Sequence, residues 1–154
     1  MKLYKLETTQ VINAPLDHCW AFFSSPKNLK EITPDHMGFE IIDGYEENMY
    51  PGQIIQYYVK PILGIPLKWV PETTQVRENQ FFIDEQLFGP YRLWHHKHFF
   101  MEVDGKVEMR DVVHYGFPLG FIGRLAPRLF IKQQLKTIFD YRFQKVNELF
   151  NGAS

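Results

Sequence analysis

The sequence has a single cysteine, almost no net charge and no long apolar run. Cys19 has no second cysteine with which to form an internal disulfide, which favours a reducing cytoplasm. The 17 basic and 18 acidic side chains leave a net charge of −1 and are scattered along the chain. They therefore form no basic stripe of the kind that binds nucleic acid. No stretch approaches the roughly 18 consecutive apolar residues of a membrane span, and the first residues alternate charged with apolar side chains, unlike a signal peptide.

Aromatic residues are what the sequence has in excess. Fourteen Phe, eight Tyr and three Trp make up 16% of the chain, and hydrophobic residues make up 45%. A chain of 154 residues is typical of one domain and buries roughly two thirds of its unfolded surface without disulfides or metals. We therefore expect a single domain over residues 1–154, with more aromatic rings than a minimal core requires.

The hydrophobic pattern predicts a strand, two short helices, six further strands and a long helix. Residues 2–12 alternate as in a half-buried strand, and short helices are predicted to begin near Pro15 and Pro26. Turn signals such as Pro51-Gly52 and Asp104-Gly105 separate the next strands. These strands are predicted over residues 38–42, 53–60, 66–76, 80–88, 91–103 and 106–117. Their succession indicates an antiparallel meander.

The last predicted element is an amphipathic helix over residues 122–150. Its expected apolar stripe consists of Leu125, Leu129, Leu135, Phe139, Val146 and Leu149, opposed by Lys136, Asp140, Lys145 and Glu148. Pro127 is expected to restart or kink the helix near its beginning. A sheet with one apolar face needs a cover, and only this helix is long enough, so the fold class is α+β.

The Asp104-Gly105 pair predicts the register of one hairpin. A two-residue loop there places Val103 opposite Lys106. The inward cross-strand pairs are then Trp94 with Tyr115, His96 with Val113, His98 with Asp111, and Phe100 with Met109. The opposite face carries His95, Lys97, Glu108, Arg110 and His114 and is expected to be the wetter one.

Three segments carry a family resemblance that extends along the whole chain. They are VINAPLDHCW at residues 11–20, FGPYRLWHHKHF at 88–99, and GFPLGFIG through FDYR at 116–142. The sequence resembles the SRPBCC or START-like superfamily, the helix-grip fold of the birch-pollen allergens, and especially its uncharacterised bacterial ligand-binding branch. This resemblance implies a curved seven-stranded antiparallel sheet wrapped around the C-terminal helix, with two short helices after the first strand. It also implies a cavity, which in relatives holds lipids, sterols, quinones, plant hormones or polyketides.

We therefore expect a protein that binds a small hydrophobic ligand such as a lipid, quinone or polyketide, with a role in transport or sensing left open. The expected ligand-binding residues are Trp69, Trp94, His96, His98, Phe100, Met109, Asp111, Tyr115, Leu135 and Phe139. No cofactor and no metal are expected. The expected state is a monomer or weak homodimer, with no nucleic-acid partner and with transient membrane contact left open.

Several alternatives remain open at this point. In an enzyme of the cyclase or dehydratase kind, His98 polarised by Asp111 is the general base, with Tyr115 or Glu85 as acid partner. His96, His98 and Asp111 are also the ligand types of an iron or zinc site. A third alternative makes His98 and Asp111 a purely structural buried pair. A protein-interaction module, like those relatives that bind quinone or modify partner assemblies, is the remaining alternative.

Other apolar residues have less specific predictions. Two apolar loops, residues 61–66 and 116–123, are expected to gate the cavity, to touch a membrane or to pack over the helix ends. Trp20 and Phe23 are predicted to be core residues of the first helix, and Cys19 on the same stripe is predicted to be inert.

Overall fold

The chain folds as a strand, two short helices, seven further strands and a long helix. The computed structural model describes residues 1–62, 64–117 and 125–152. The elements are β1 (Leu3–Ile12), α1 (Leu16–Phe23), α2 (Pro26–Leu29), β2 (Glu40–Asp43), β3 (Gln53–Ile54), β4 (Gln56–Ile62), β5 (Ile65–Arg77), β6 (Phe81–Phe88), β7 (Leu93–Val103), β8 (Lys106–Gly116) and α3 (Leu125–Val146). A 3-10 turn at Asp35–Met37 precedes β2, and a π-helical turn at Asn147–Asn151 follows α3.

All the strands belong to one antiparallel sheet. Its order is β1-β8-β7-β6-β5-β4-β2, and β3 pairs with β5 beside β4. The predicted strand over 53–60 divides at Ile55 into β3 and β4, and the amide of Ile55 donates to the carbonyl of Pro71 across the break. The register of β5 against β6 also shifts at Pro71, which has no amide hydrogen for the ladder. The predicted meander and the α+β helix-grip architecture are confirmed.

The hairpin between β7 and β8 has the predicted register. Val103 pairs with Lys106, and His98 pairs with Asp111. Asp104 and Gly105 both have positive φ, 51° and 74°, which a two-residue hairpin turn of the favoured hand requires. Aspartate and glycine are among the residues that adopt this conformation most easily, so two adjacent residues align the whole inward face of both strands.

Helix α3 packs on the sheet through a stripe that differs in part from the predicted one. Ile131, Leu135, Phe139 and Val146 are buried. Leu129 is 57% exposed and Leu149 is 40% exposed, so including them was wrong. Leu129 and Leu135 are six residues apart, and at 3.6 residues per turn this separation places them on different faces.

The beginning of α3 accommodates a proline. Because α3 begins at Leu125, Pro127 falls in its first turn, where no intrahelical donor is needed. The predicted apolar loop 116–123 lies outside the described residues from 118 onward, and so does Leu63 of the other apolar loop. In that other loop, Ile65 is 52% exposed at the start of β5.

The core on the α1 side of the sheet is aromatic, as predicted for Trp20. The Trp20 ring lies 5.6 Å from the Phe100 ring and meets it edge-on. Such ring pairs contribute roughly 0.5–1.5 kcal/mol beyond their area burial. Cys19 is fully buried in the same cluster, and burial raises the pKa of its thiol to about 11. Its thiolate is therefore scarce at neutral pH, which agrees with an inert core cysteine.

Candidate functional site: a cavity beside a histidine–aspartate cluster

A cavity of about 160 Å³ lies between α3 and the concave face of the sheet. Its wall combines residues of α1, α2, the central strands and α3, and most of them are apolar. Six of the ten residues expected from the sequence line it: Trp69, Trp94, His96, His98, Leu135 and Phe139. Phe23, which was expected to be core alone, lines it as well.

The other four expected residues lie outside the cavity wall. Phe100 and Met109 are buried in the cluster that α1 covers, and Tyr115 stacks on Tyr4 at 5.5 Å in a second core cluster. Asp111 is buried and contacts His96 and His98. Alternation along β7 and β8 aligns all these side chains on the inward face, but α1 and α3 cover different parts of that face. Only part of it borders the cavity.

Asp111 holds two histidines of the neighbouring strand. Its Oδ1 lies 2.8 Å from His96 Nε2 and 3.0 Å from His98 Nδ1. The three residues are between 5% and 7% exposed. His98 is directly opposite Asp111, while His96 reaches it diagonally from two residues earlier on the same face. The predicted meeting of a histidine and a carboxylate therefore involves two imidazoles.

A second carboxylate, Asp84 of β6, completes the arrangement. Its Oδ2 lies 3.0 Å from His98 Nε2, and its Oδ1 accepts a hydrogen bond of 3.1 Å from the Thr73 hydroxyl. The Phe82 ring stacks on the His98 ring at 4.0 Å. We call Asp84, His96, His98 and Asp111 the histidine–aspartate cluster. Sequence reasoning missed Asp84 because the β6–β7 register, unlike the β7–β8 register, has no two-residue turn to define it.

The hydrogen bonds determine the protonation states within the cluster. Burial raises the pKa of Asp111, but the hydrogen bonds from His96 and His98 outweigh this and hold it well below its usual range. A carboxylate only accepts hydrogen bonds, so His98, which contacts Asp111 and Asp84 through different ring nitrogens, donates from both and is an imidazolium. Burial lowers the pKa of His98, yet its two carboxylate partners raise it above the ordinary value overall.

His96 differs from His98 although both contact Asp111. Burial, together with the nearby charge of His98, lowers the pKa of His96 to about 4. The ring is therefore neutral at neutral pH and donates its Nε2 hydrogen to Asp111. The two imidazole rings lie 3.7 Å apart, so two positive charges at this distance would repel strongly.

Arg142 of α3 is a charged residue of the cavity wall that sequence reasoning missed. Its Nε is enclosed and has no hydrogen-bond partner among the described residues, and its guanidinium lies 4.9 Å from the Phe139 ring. Burial lowers the pKa of Arg142, while Asp111 and Asp84 oppose that shift. The signal in the sequence was spacing, because Leu135, Phe139, Arg142 and Val146 follow one another at helical intervals on the sheet-facing stripe.

The charges of this region compensate one another. The two carboxylates of Asp84 and Asp111 are balanced by the His98 imidazolium and the Arg142 guanidinium. Buried charges are tolerated only when they are paired and hydrogen-bonded, and His98 with its two carboxylates meets both conditions. Arg142 is only half-buried, and no carboxylate of the described residues lies within ion-pair distance of its guanidinium.

The same residues bear on the metal and enzyme alternatives. Possible ligand atoms of His96, His98 and Asp111 lie within 4.8 Å of one another, so this trio could hold an ion. The nitrogens of His96 and His98 also lie within hydrogen-bonding distance of Asp111 Oδ1, so the three side chains can pair through hydrogen bonds without an ion. Glu85 cannot be the acid partner of His98, because it lies on the other face of β6 with its Oε1 3.4 Å from His95.

Comparisons with known proteins agree with this architecture. The Zhui aromatase/cyclase from Streptomyces sp. R1128 superposes with a TM-score of 0.74 at 14% identity, covering 96% of each chain. A START superfamily protein from Mycobacterium smegmatis gives 0.67 at 11% identity, covering 94% of this chain and 98% of its own. Ara h 8.0201 gives 0.59 at 16% identity, covering 94% and 98% respectively. No protein-family model matches the sequence, and no curated protein matches it.

These similarities identify the fold of the chain. The chain shares the helix-grip fold of an aromatase/cyclase and of a START superfamily protein, which is the fold that the resemblance in its sequence implied. At these identities the shared feature is the fold, and function must be argued from this chain's own cavity. Within residues 1–62, 64–117 and 125–152, no helix is long and apolar enough to cross a membrane.

Proposed function

We propose that this protein binds a small hydrophobic molecule noncovalently in the cavity between the sheet and α3. The observation that carries the proposal is a mostly apolar cavity, walled by rings such as Trp69, Trp94 and Phe139, with a few polar side chains among the lining residues. Sites of this composition bind small molecules because the apolar wall supplies affinity and the polar groups supply orientation.

The size of the cavity limits the ligand. A volume of about 160 Å³ is close to that of an engineered apolar cavity that accommodates one benzene molecule. Many small-molecule sites are larger, at roughly 300–1,000 Å³. We therefore favour a compact ligand, of the size of one ring with short substituents. A long lipid would have to displace several aromatic side chains.

The first experiment is native mass spectrometry of freshly purified protein, followed by identification of any molecule that dissociates. We expect a stoichiometric apolar adduct, or a thermal shift with members of lipid, quinone and polyketide panels. Val59→Phe adds volume at the cavity wall and should remove the adduct. Val11→Phe makes the same change at a residue 52% exposed on β1 and should retain it.

Two outcomes would count against binding. If the wild-type protein carries no adduct and no member of the panels shifts its melting temperature, the cavity is not a ligand site. A protein-interaction module then becomes the better hypothesis. If the adduct survives Val59→Phe unchanged, the ligand binds elsewhere.

The enzyme alternative is supported by the presence of titratable groups at the cavity wall, and the Zhui aromatase/cyclase shows that this fold is compatible with catalysis. The general base proposed from the sequence, however, is His98, and both of its nitrogens already donate to carboxylates. An imidazolium has no lone pair with which to take a proton. His96 is neutral and is the better base by protonation state, although a pKa of about 4 makes it a weak one.

A further inference from the structure

We propose that Arg142 is the polar anchor of the cavity and that the ligand is an uncharged, compact carbonyl compound whose oxygen accepts hydrogen bonds from the guanidinium. This inference rests on the proposed binding function and specifies the chemical class of the ligand. Arg142 is a cation on the otherwise apolar stripe of α3, between Phe139 and Val146.

The two carboxylates whose charges act on Arg142 accept hydrogen bonds from other donors. Asp111 Oδ1 accepts from both His96 and His98, at 2.8 and 3.0 Å. Asp84 accepts from the Thr73 hydroxyl on one oxygen and from His98 on the other. Within the described part of the chain, Arg142 has neither an ion pair nor a hydrogen bond. Its contact is with the face of the Phe139 ring.

A second lining residue points to the same ligand chemistry. The indole Nε1 of Trp69 is enclosed and has no hydrogen-bond partner in the described residues. Among the enclosed, unpartnered polar atoms found there, those of the cavity wall are Arg142 Nε and Trp69 Nε1, and both are donors. Enclosed donors without acceptors are costly, so a bound molecule that carries acceptor oxygens would relieve that cost. These two donors therefore favour a ligand that places an acceptor oxygen beside them.

Charge balance decides between a neutral and an anionic acceptor. Asp84, Asp111, His98 and Arg142 together have no net charge, and Asp111 and Asp84 interact favourably with the guanidinium. A ligand carboxylate at Arg142 would add a third negative charge close to these two carboxylates, inside a weakly screened cavity. A carbonyl oxygen satisfies the donors without this repulsion. Ketones, quinones and lactones share this chemistry, and the volume of about 160 Å³ favours those with one ring.

Three probes of similar shape test the proposal by calorimetric titration of the full chain. Acetophenone carries the carbonyl, ethylbenzene lacks it, and benzoate replaces it with an anion. We expect acetophenone to bind the wild-type protein roughly tenfold or more tightly than either of the others, as one hydrogen bond to a charged donor implies. Arg142→Met should remove this preference while retaining ethylbenzene binding. Arg110→Met, at an exposed arginine of β8, should leave all three affinities unchanged.

Three other outcomes would overturn the proposal, and each would identify a different part of it as wrong. Equal affinity for acetophenone and ethylbenzene, unaffected by Arg142→Met, removes the anchor but leaves cavity binding intact. Preference for benzoate that is lost in Arg142→Met makes the ligand class anionic. No binding of any probe, together with no adduct in native mass spectrometry, removes the binding function itself.

An infrared measurement on the wild-type complex tests the hydrogen bond even if Arg142→Met does not fold. The infrared carbonyl stretch of acetophenone bound to the wild-type protein should lie at lower frequency than in an apolar solvent, because hydrogen bonding to a cation weakens the C=O bond. Arg142→Lys retains the positive charge and should give a smaller shift, since lysine lacks the planar donor fork. A stretch at the apolar-solvent frequency in the wild-type complex would overturn the proposal.

Discussion

His98 and Asp111 are directly opposite each other on β7 and β8, and His98 Nδ1 lies 3.0 Å from Asp111 Oδ1. The same oxygen also accepts from His96, so this one carboxylate connects both imidazoles of the cavity wall. The cluster therefore depends on Asp111 more than on either histidine. Three of the four predictions below concern this cluster, and one concerns the neighbouring aromatic core.

The first prediction concerns stability. Asp111→Asn removes the charge that both imidazoles contact and leaves the His98 imidazolium with one carboxylate instead of two. Breaking a buried charge pair from one side typically costs about 3–5 kcal/mol, so we expect a loss of that order in the free energy of unfolding, measured by urea denaturation. Asp140→Asn is the control, because Asp140 forms an exposed pair with Lys136 on α3 and should cost under about 1 kcal/mol. Equal losses would show that the cluster is not a buried charge network.

The second prediction is the pH dependence of stability. The folded-state pKa of His96 is lowered from 6.5 to about 4, so between these values the unfolded chain binds more protons and stability falls on acidification. The folded-state pKa of His98 is raised, so its contribution is fully present below 6.5 and is lost as the pH rises through the folded value. Asp111, with its lowered pKa, contributes above 3.8 and loses that contribution only at lower pH.

These terms place the stability maximum near pH 6.5, as measured by urea denaturation across pH. His96 contacts His98, Asp111 and Phe139, and the charge of Arg142 also lowers its pKa. Because His96 donates a hydrogen bond to Asp111, the variant at this position must also carry a donor. His96→Gln should flatten the decline between pH 6.5 and 4. His98→Gln should flatten the decline above pH 6.5. An unchanged profile in both variants would contradict these protonation states.

The third prediction separates the core from the cavity. Phe100 is 5% exposed and contacts Trp20, Phe23 and Phe82, but it does not line the cavity. Phe100→Ala should therefore cost about 3–5 kcal/mol of stability by leaving a hole in the core, while ligand affinity of the folded protein stays within about twofold. Phe88→Ala, at a residue 62% exposed, should change neither quantity measurably. A large loss of ligand affinity in Phe100→Ala would instead show that Phe100 contributes to the binding site.

The fourth prediction concerns metal binding. Because protons already satisfy His96, His98 and Asp111, an ion would have to displace the His96 Nε2 and His98 Nδ1 hydrogens. We expect no increase in melting temperature with equimolar zinc or ferrous iron at pH 7, and no stoichiometric metal in the purified protein. A stable rise with zinc that is abolished by Asp111→Asn would establish the trio as a metal site.

Local sequence signals predicted much of this fold. Alternation identified most of the strands within a few residues, and Asp104-Gly105 defined the β7–β8 register because a two-residue turn allows only one pairing. The inward-facing positions of His96, His98 and Asp111 follow directly from that register. The prediction that Leu129 faces the sheet was wrong because no local signal defines the buried face of a long helix. Such a helix has several apolar residues, and packing decides which of them contact the sheet.

The sequence by itself thus determined the element order, the hairpin register and the meeting of histidine with aspartate, because each depends on contacts between neighbours along the chain or across one turn. Only the tertiary structure decided which inward-facing residues border open space and which are covered by α1. It also brought Asp84 of β6 and Arg142 of α3 to a cluster built on β7 and β8. The physical reason is that hydrogen bonds, desolvation and cavity volume depend on side chains distant in sequence, whose approach no local pattern encodes.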